Sequence, residues 1–297
     1  MRTLTDISPL TEKSGSYDES RLPIKLNFSS YGVNFALHSR IAEIQSLPDI
    51  ADYLPYNCHP LSCSVDIDTV VYALGLDSPS DMDGISDAGE LPRYRLSHNG
   101  ERINDSANLD TVLTRFEKHA QLYVAEHATE RLFVHAGVVG WQGKAIVIPA
   151  RSFSGKSSLV ASLLQAGATY YSDEYALFDE EGQVWPFPLN ISLRARDNQP
   201  ARSCTPNEFG AETGVGPLPV GLLLSSKYKA EAIWQPEAMS IGQALFTLLD
   251  NTVPARTNPQ FALPILQCVA TQAKAIQSDR GEANSVIQAI LSLSTNS

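Results

Sequence analysis

The chain has 297 residues, 43% of them hydrophobic and 19% charged, which is the make-up of a folded protein with a sizeable core rather than of a disordered or fibrous one. Its formal net charge of -11 repels nucleic acid and anionic membrane surfaces, so any polyphosphate ligand needs locally arranged donors. Neither a secretory apolar stretch at the N-terminus nor a run of about eighteen apolar residues is present, which points to a cytoplasmic protein with no membrane partner.

Residues 1–27 are polar and aperiodic and read as a disordered tail. Residues 28–130 read as a smaller N-terminal α+β domain. "KLNFSSYGVNFALHS" alternates apolar and polar positions as strands do. Ile41, Ile44 and Leu47 then fall at helical spacing before Pro48, and "SVDIDTVVYALGL" alternates again. The acidic segment "DSPSDMDGISDAGELP" lacks the ligand order of a calcium loop and reads as a solvated loop. "PRYRLSHNGERI" predicts a hairpin turning at Asn99-Gly100, and Leu109, Val112, Leu113, Phe116 and Leu122 mark the apolar face of a long helix. On that helix His119 and His127 stand too far apart to share a metal. Cys58, His59 and Cys63 lie close together, but no second Cys/His pair follows at finger spacing, and the four cysteines read as reduced thiols.

Residues 131–297 read as a catalytic domain. "LFVHAGVV", "KAIVIP", "TYYSDEYALFD" and "VWPFPLNISLR" are strand-like, with turns near Trp141-Gly143 and Glu181-Gly182. A short strand at Leu222 and a run of helices complete the chain. Within this half, "KAIVIP" is a buried-type strand running straight into "ARSFSGKSSLVASLL". Gly155, Lys156 and Ser157 fill the last three places of G-x-x-x-x-G-K-[ST], and Ala150 takes the first. Such a loop works because successive backbone N–H groups and a helix N-terminus face phosphate oxygens, while lysine reaches the terminal phosphates and the hydroxyl meets magnesium. Alanine suits the first place if its backbone needs no positive φ. Leu159, Val160, Leu163 and Leu164 give the following helix its apolar face, and Gly167 sits where a C′ glycine belongs. The alternative is an ordinary strand–turn–helix. The nucleotide-binding stretch thus comprises Ser152, Phe153, Ser154, Gly155, Lys156, Ser157 and Ser158.

Binding alone is not chemistry. Asp173-Glu174, at the end of the next strand, could divide the work between a base and a metal ligand, although such a pair can also be a surface turn. His135, in an apolar strand one hairpin before the loop, reads either as a satisfied core residue or as a group orienting Asp173.

Taken in order, "HAGVVGWQGKAIVIP", "SGKSSL" and "GATYYSDEYALFD" resemble the catalytic domain of HPr kinase/phosphorylase and its HPr-kinase-like relatives, which belong with phosphoenolpyruvate carboxykinase. The resemblance covers about residues 131–195. It implies an α/β fold with a mixed, α+β-like sheet around a P-loop kinase core, carrying C-terminal helices. It further implies that Gly155, Lys156 and Ser157 hold the phosphates of ATP with Mg2+, that Asp173 takes the proton of an acceptor hydroxyl with His135 near it, and that Glu174 stands for the family's second aspartate. Ala150 and Phe153 occupy places where the family carries glycine. The function that follows is a Mg-ATP-dependent kinase acting on a hydroxyl, serine or threonine of a peptide or small protein. The alternatives are a non-catalytic, pseudokinase-like nucleotide-binding module and a small-molecule kinase or phosphorolytic enzyme. HPr kinase assembles into hexamers, so the resemblance also raises a homo-oligomer.

Overall fold

In the computed structural model, residues 24–41, 44, 47–62, 70–77, 93–150, 154–193, 201–255 and 257–295 are described. The chain divides into two units, one of residues 1–29 and 34–120 and the other of 30–33 and 121–297. The acidic segment after Asp77, Cys63, Ser152 and Phe153 lie outside the described residues.

The first unit is built on a six-stranded sheet of β1 (Ile24–Ser30), β2 (Val33–Ser39), β3 (His59–Pro60), β4 (Val70–Asp77), β5 (Arg93–His98) and β6 (Glu101–Ser106), in the order β3-β1-β2-β4-β5-β6. β2 and β4 pair parallel. The helix expected before Pro48 lies mostly outside the described residues, and a 3-10 turn, Leu47–Tyr53, follows. Asn99 and Gly100 both take positive φ, the pairing a two-residue hairpin turn needs. Helix α1 (Leu109–His127) follows. Phe116 meets Phe35 and Tyr72 at ring-centroid distances of 6.5 and 5.1 Å. Leu122, expected on the apolar face, is exposed, and Val112, Leu113, Phe116, Ala120 and Val124 form the buried stripe instead. The helical period runs through Ala120 and Val124, which leaves Leu122 half a turn away.

The second unit is a mixed sheet between two helical layers. Its strands are β7 (Leu132–Trp141), β8 (Lys144–Pro149), β9 (Thr169–Ser172), β10 (Tyr175–Phe178), β11 (Val184–Trp185), β14 (Val220–Tyr228), β15 (Glu237–Ala238) and β16 (Lys274–Arg280), with β12 (Ile191–Leu193) and β13 (Arg202–Cys204) forming a separate ribbon. The sheet order is β11-β10-β7-β8-β14-β16-β15, with β9 also on β7. β8, β14 and β16 run parallel, so their C-terminal ends meet along one rim. Parallel strands buried on both faces need apolar side chains at consecutive positions, which is what "AIVI" supplies. Ala145 and Val147 face one core with α3 (Ile241–Asp250) and α4 (Pro259–Gln272), while Ile146 and Ile148 face the other with α2 (Lys156–Gln165) and α5 (Ile287–Thr295).

Two differences from the sequence reading matter for the site. β14 spans nine residues rather than a short strand, and β16 interrupts what reads as a helical run. "KAIQSDR" has only Ala275 and Ile276 buried side by side, so it carries no two-residue period, and its pairing with β14 makes it a strand.

Candidate active site at the C-terminal rim of the sheet

Strand β7 organises one side of the rim. Its Ala136 pairs with Pro149 at the end of β8, while on its other edge Val138 pairs with Ser172 and His135 with Tyr175. Counting inward along that second edge puts Asp173 opposite Gly137 and Glu174 opposite Ala136. Two hydrogen bonds agree, with the Ala136 amide donating to the Glu174 carbonyl at 3.2 Å and the Ala150 amide to the His135 carbonyl at 3.3 Å. One strand therefore separates the acid pair from the start of the loop.

The loop enters α2 at Gly155, whose φ of +84° is the left-handed conformation that favours glycine. Ala150 does not share that requirement and tolerates its methyl. Among the described residues no side chain caps α2, and no acidic residue lies in its first turn. By contrast, Ser240 and Gln243 close a capping box on α3, and Asn258 Oδ1 accepts the Phe261 amide at the start of α4. The N–H groups of α2, with their partial positive charge, are left for another acceptor. At the other end Gly167 donates to the Leu164 carbonyl and Ala168 to that of Leu163, completing a glycine-based stop. Ser158 is exposed on the first turn.

Gly137 lets α2 sit close. A Cβ there would lie 2.5 Å from Val160 Cγ2 and 3.1 Å from Lys156 Cγ, so the lysine stem crosses over this glycine. Asp173 is the strand neighbour of the same glycine and is only 6% exposed. Burial pushes its carboxyl up to about 6, against the opposing pull of Lys156 and a hydrogen bond from the Ser157 hydroxyl. Glu174 adds to the rise and a backbone bond from Ser192 opposes it. Its Oδ1 is buried with no hydrogen-bond partner among the described residues. A buried oxygen left open beside a lysine and an uncapped helix start is unusual enough to need a reason.

His135 is placed differently from the sequence expectation. Its direct cross-strand partner is Tyr175, against which its ring packs at 4.6 Å, and Nδ1 lies 3.9 Å from Glu174 Oε1. Burial holds its pKa below the usual imidazole value, with Glu174 raising it and Lys156 lowering it. Ser157 and the Ser192 backbone both favour the ionised form of the Asp173 carboxyl. Glu174, whose side chain is half exposed, meets His135.

The far side of the rim carries residues the sequence reading missed. Arg280, at the end of β16, is 2% exposed and reaches the loop, with Nη2 donating to the Gly155 carbonyl at 2.7 Å and Nη1 to the Gly281 carbonyl at 3.0 Å. The Tyr228 amide, at the end of β14, donates to the Ser154 carbonyl at 3.1 Å. A cavity of about 1200 Å3 opens beside Pro149, Ala150 and Ser154. Ser226 Oγ, Asn251 Oδ1 and Ser154 Oγ, all among its lining residues, are buried without hydrogen-bond partners among the described residues. Gly137 was open to detection, since a glycine inside a strand marks close approach. A role for Arg280 was not, because a single arginine in a polar stretch such as "DRGEA" has no period.

No protein-family model and no curated protein matches the chain. Among solved structures it is similar to the Hpr(Ser) kinase/phosphatase from Coxiella burnetii, at 16% sequence identity and a TM-score of 0.32, over 55% of this chain and 94% of that one. The likeness is remote, and it assigns no residue a role. Among the described residues no helix is long and apolar enough to cross a membrane.

Proposed function

We propose that the second unit is a Mg-ATP-dependent phosphotransferase of the HPr-kinase-like kind, moving the γ-phosphoryl group to a hydroxyl of a peptide or small protein. The observation that carries this reading is the buried, open Oδ1 of Asp173 beside Lys156 and the uncapped start of α2. The N–H groups at the start of α2 and the Lys156 ammonium hold the nucleotide phosphates, since both present positive charge on one side of the loop. The cavity next to Ala150 and Ser154 takes the nucleoside end, because ligands of such sheets occupy the crevice at the C-terminal strand ends. The acceptor oxygen attacks phosphorus, the bond to the β-phosphate oxygen breaks, ADP leaves, and the hydroxyl proton passes to Asp173. A carboxyl poised near 6 is mostly ionised at neutral pH yet more basic than an ordinary aspartate, which suits a general base.

The residues also suit magnesium. Glu174 is half exposed, and the Ser157 hydroxyl stands beside its neighbour Asp173. Among the described residues no group of three or more His, Cys, Asp or Glu side chains forms a metal site. A small protein ligand set is what an ion completed by phosphates and water requires. When bound, magnesium would neutralise charge on the phosphate oxygens, with Ser157 and Glu174 holding it.

Calorimetric titration of ATP with and without Mg2+ tests the reading, together with an unbiased phosphoacceptor screen using Asp173→Asn as the control. Tight magnesium-dependent binding and transfer that Asp173→Asn abolishes are expected. Binding without transfer to any acceptor would identify the non-catalytic module instead. Transfer only to small hydroxyl compounds, or phosphate-driven reversal, would mark the small-molecule or phosphorolytic enzyme. No nucleotide binding at all would overturn the proposal.

A further inference from the structure

Arg280 is the largest fully buried side chain of the described residues, and its environment is odd for a cation. Its guanidinium bonds two neutral backbone carbonyls, those of Gly155 and Gly281. Nε is buried without a partner, and no carboxylate is hydrogen-bonded to the group among the described residues. Glu282 attracts it through space only, while burial is the leading influence on it. Keeping a charge out of water with no bonded counter-ion is costly, and small apolar neighbours could have replaced it.

Its place explains what the cost obtains. The Gly155 carbonyl accepts both from Arg280 Nη2 at 2.7 Å and from the Leu159 amide at 3.2 Å, so both of its lone pairs are engaged. A trans peptide holds C=O and the next N–H in opposite directions. Fixing that carbonyl inward turns the Lys156 amide outward, to the end of α2 where no capping side chain competes for it. A Cβ on residue 155 would lie 2.9 Å from Nη2, so glycine is needed here for the closeness of the arginine as well as for its φ. The Tyr228 amide fixes the preceding carbonyl, of Ser154, in the same manner.

We propose that Arg280 is a positioning residue of the anion site, which presets the Gly155–Lys156 peptide for a phosphate and adds a buried positive charge behind it. The inference rests on the reading of the loop as a polyphosphate site. It assigns to the tip of β16 a part in that site which no motif of the loop itself contains.

Binding of inorganic tripolyphosphate to the full chain, followed by calorimetry and by thermal melting, separates this idea from the kinase reading because it needs neither acceptor nor turnover. Arg280→Met and Arg280→Gln should bind tripolyphosphate about tenfold or more weaker than the parent, because the Gly155–Lys156 peptide is no longer held and the buried charge behind it is lost. Arg280→Lys, which keeps the charge, should stay within about threefold of it. If Arg280→Met does not fold, the comparison of Arg280→Gln with Arg280→Lys decides. Equal affinity in the parent and the neutral variants would overturn the role of Arg280 while leaving the loop intact as a site. Equal weakness in Arg280→Lys and Arg280→Gln would overturn the role of its charge. A parent chain that binds neither tripolyphosphate nor ATP would remove the loop reading and this inference together.

Discussion

Two clusters of buried polar groups, one in each unit, are treated in opposite ways, although the first unit also leaves Asn104 Oδ1 without a hydrogen-bond partner among the described residues. In the first, the Tyr72 hydroxyl and His119 Nδ1 bond each other at 2.9 Å, and His98 stacks on the Tyr72 ring at 5.0 Å. The polarity is closed on itself and surrounded by Phe35 and Phe116. In the second, Asp173 Oδ1, Ser154 Oγ, Ser226 Oγ, Asn251 Oδ1 and Arg280 Nε are all left open along one rim of the sheet. A satisfied buried pair contributes stability, whereas open buried groups reduce it and are kept where a ligand completes them. The contrast therefore separates a structural use of buried polarity from a binding use within one chain.

The strongest way to break that contrast is at Lys156. Lys156→Ala should lower nucleotide-dependent transfer on the order of a hundredfold to a thousandfold while melting within a few degrees of the parent. A variant with full transfer would show the rim to be inert. Asp173→Asn sharpens the comparison further, because an open carboxyl should weaken the fold that holds it. Its folded-state pKa is raised from 3.8 to about 6, so the native state binds the extra proton. The ionised group therefore costs nothing below about pH 4, and its cost develops as pH rises to about 6, reaching on the order of 3 kcal/mol at most. Denaturant melts without nucleotide or metal should find Asp173→Asn more stable than the parent at pH 8 and equal to it near pH 4. Loss of stability at pH 8 would place Asp173 with the structural polar groups instead.

Gly137→Ala tests the packing that brings Lys156 and Asp173 together. The added methyl meets Val160 Cγ2 at 2.5 Å, so α2 must shift, at a cost of about 2 kcal/mol. Nucleotide affinity should fall with it, and an unchanged melt would show that the helix does not depend on this close approach. The smallest effect is expected in the first unit. Tyr72→Phe removes one hydrogen bond and should cost about 1 kcal/mol, with no change in nucleotide affinity. Burial and the nearby His98 and Arg115 hold the pKa of His119 below its usual value. Its contribution is therefore present above about pH 6.5 and diminishes as pH falls below it, which hydrogen exchange of β4 and β5 as a function of pH would register.

Much of this was legible in the residues. The hairpin at Asn99-Gly100, the buried strand "KAIVIP", the glycine at the entry to α2 and the glycine stop at Gly167 each follow from a local rule about φ or periodicity, and the structure has all four. The partner of His135 was not legible. Its place on a strand beside the acid pair suggests Asp173, but cross-strand register sets the ring on Tyr175 and beside Glu174. β16 was lost for the same kind of reason, since its strand character comes from pairing with β14 rather than from its own pattern.

The chain by itself determined the elements whose conformation depends on nearest neighbours: turns that need positive φ, strands buried on both faces, and helices with one apolar stripe. What tertiary structure alone decided is which groups converge. Gly137 brings Lys156 over β7, register sets Asp173 beside it, and parallel pairing delivers Arg280 to Gly155 from 125 positions away. Local conformational preference acts over a few residues, whereas burial and charge act through space, and only the folded sheet specifies those distances.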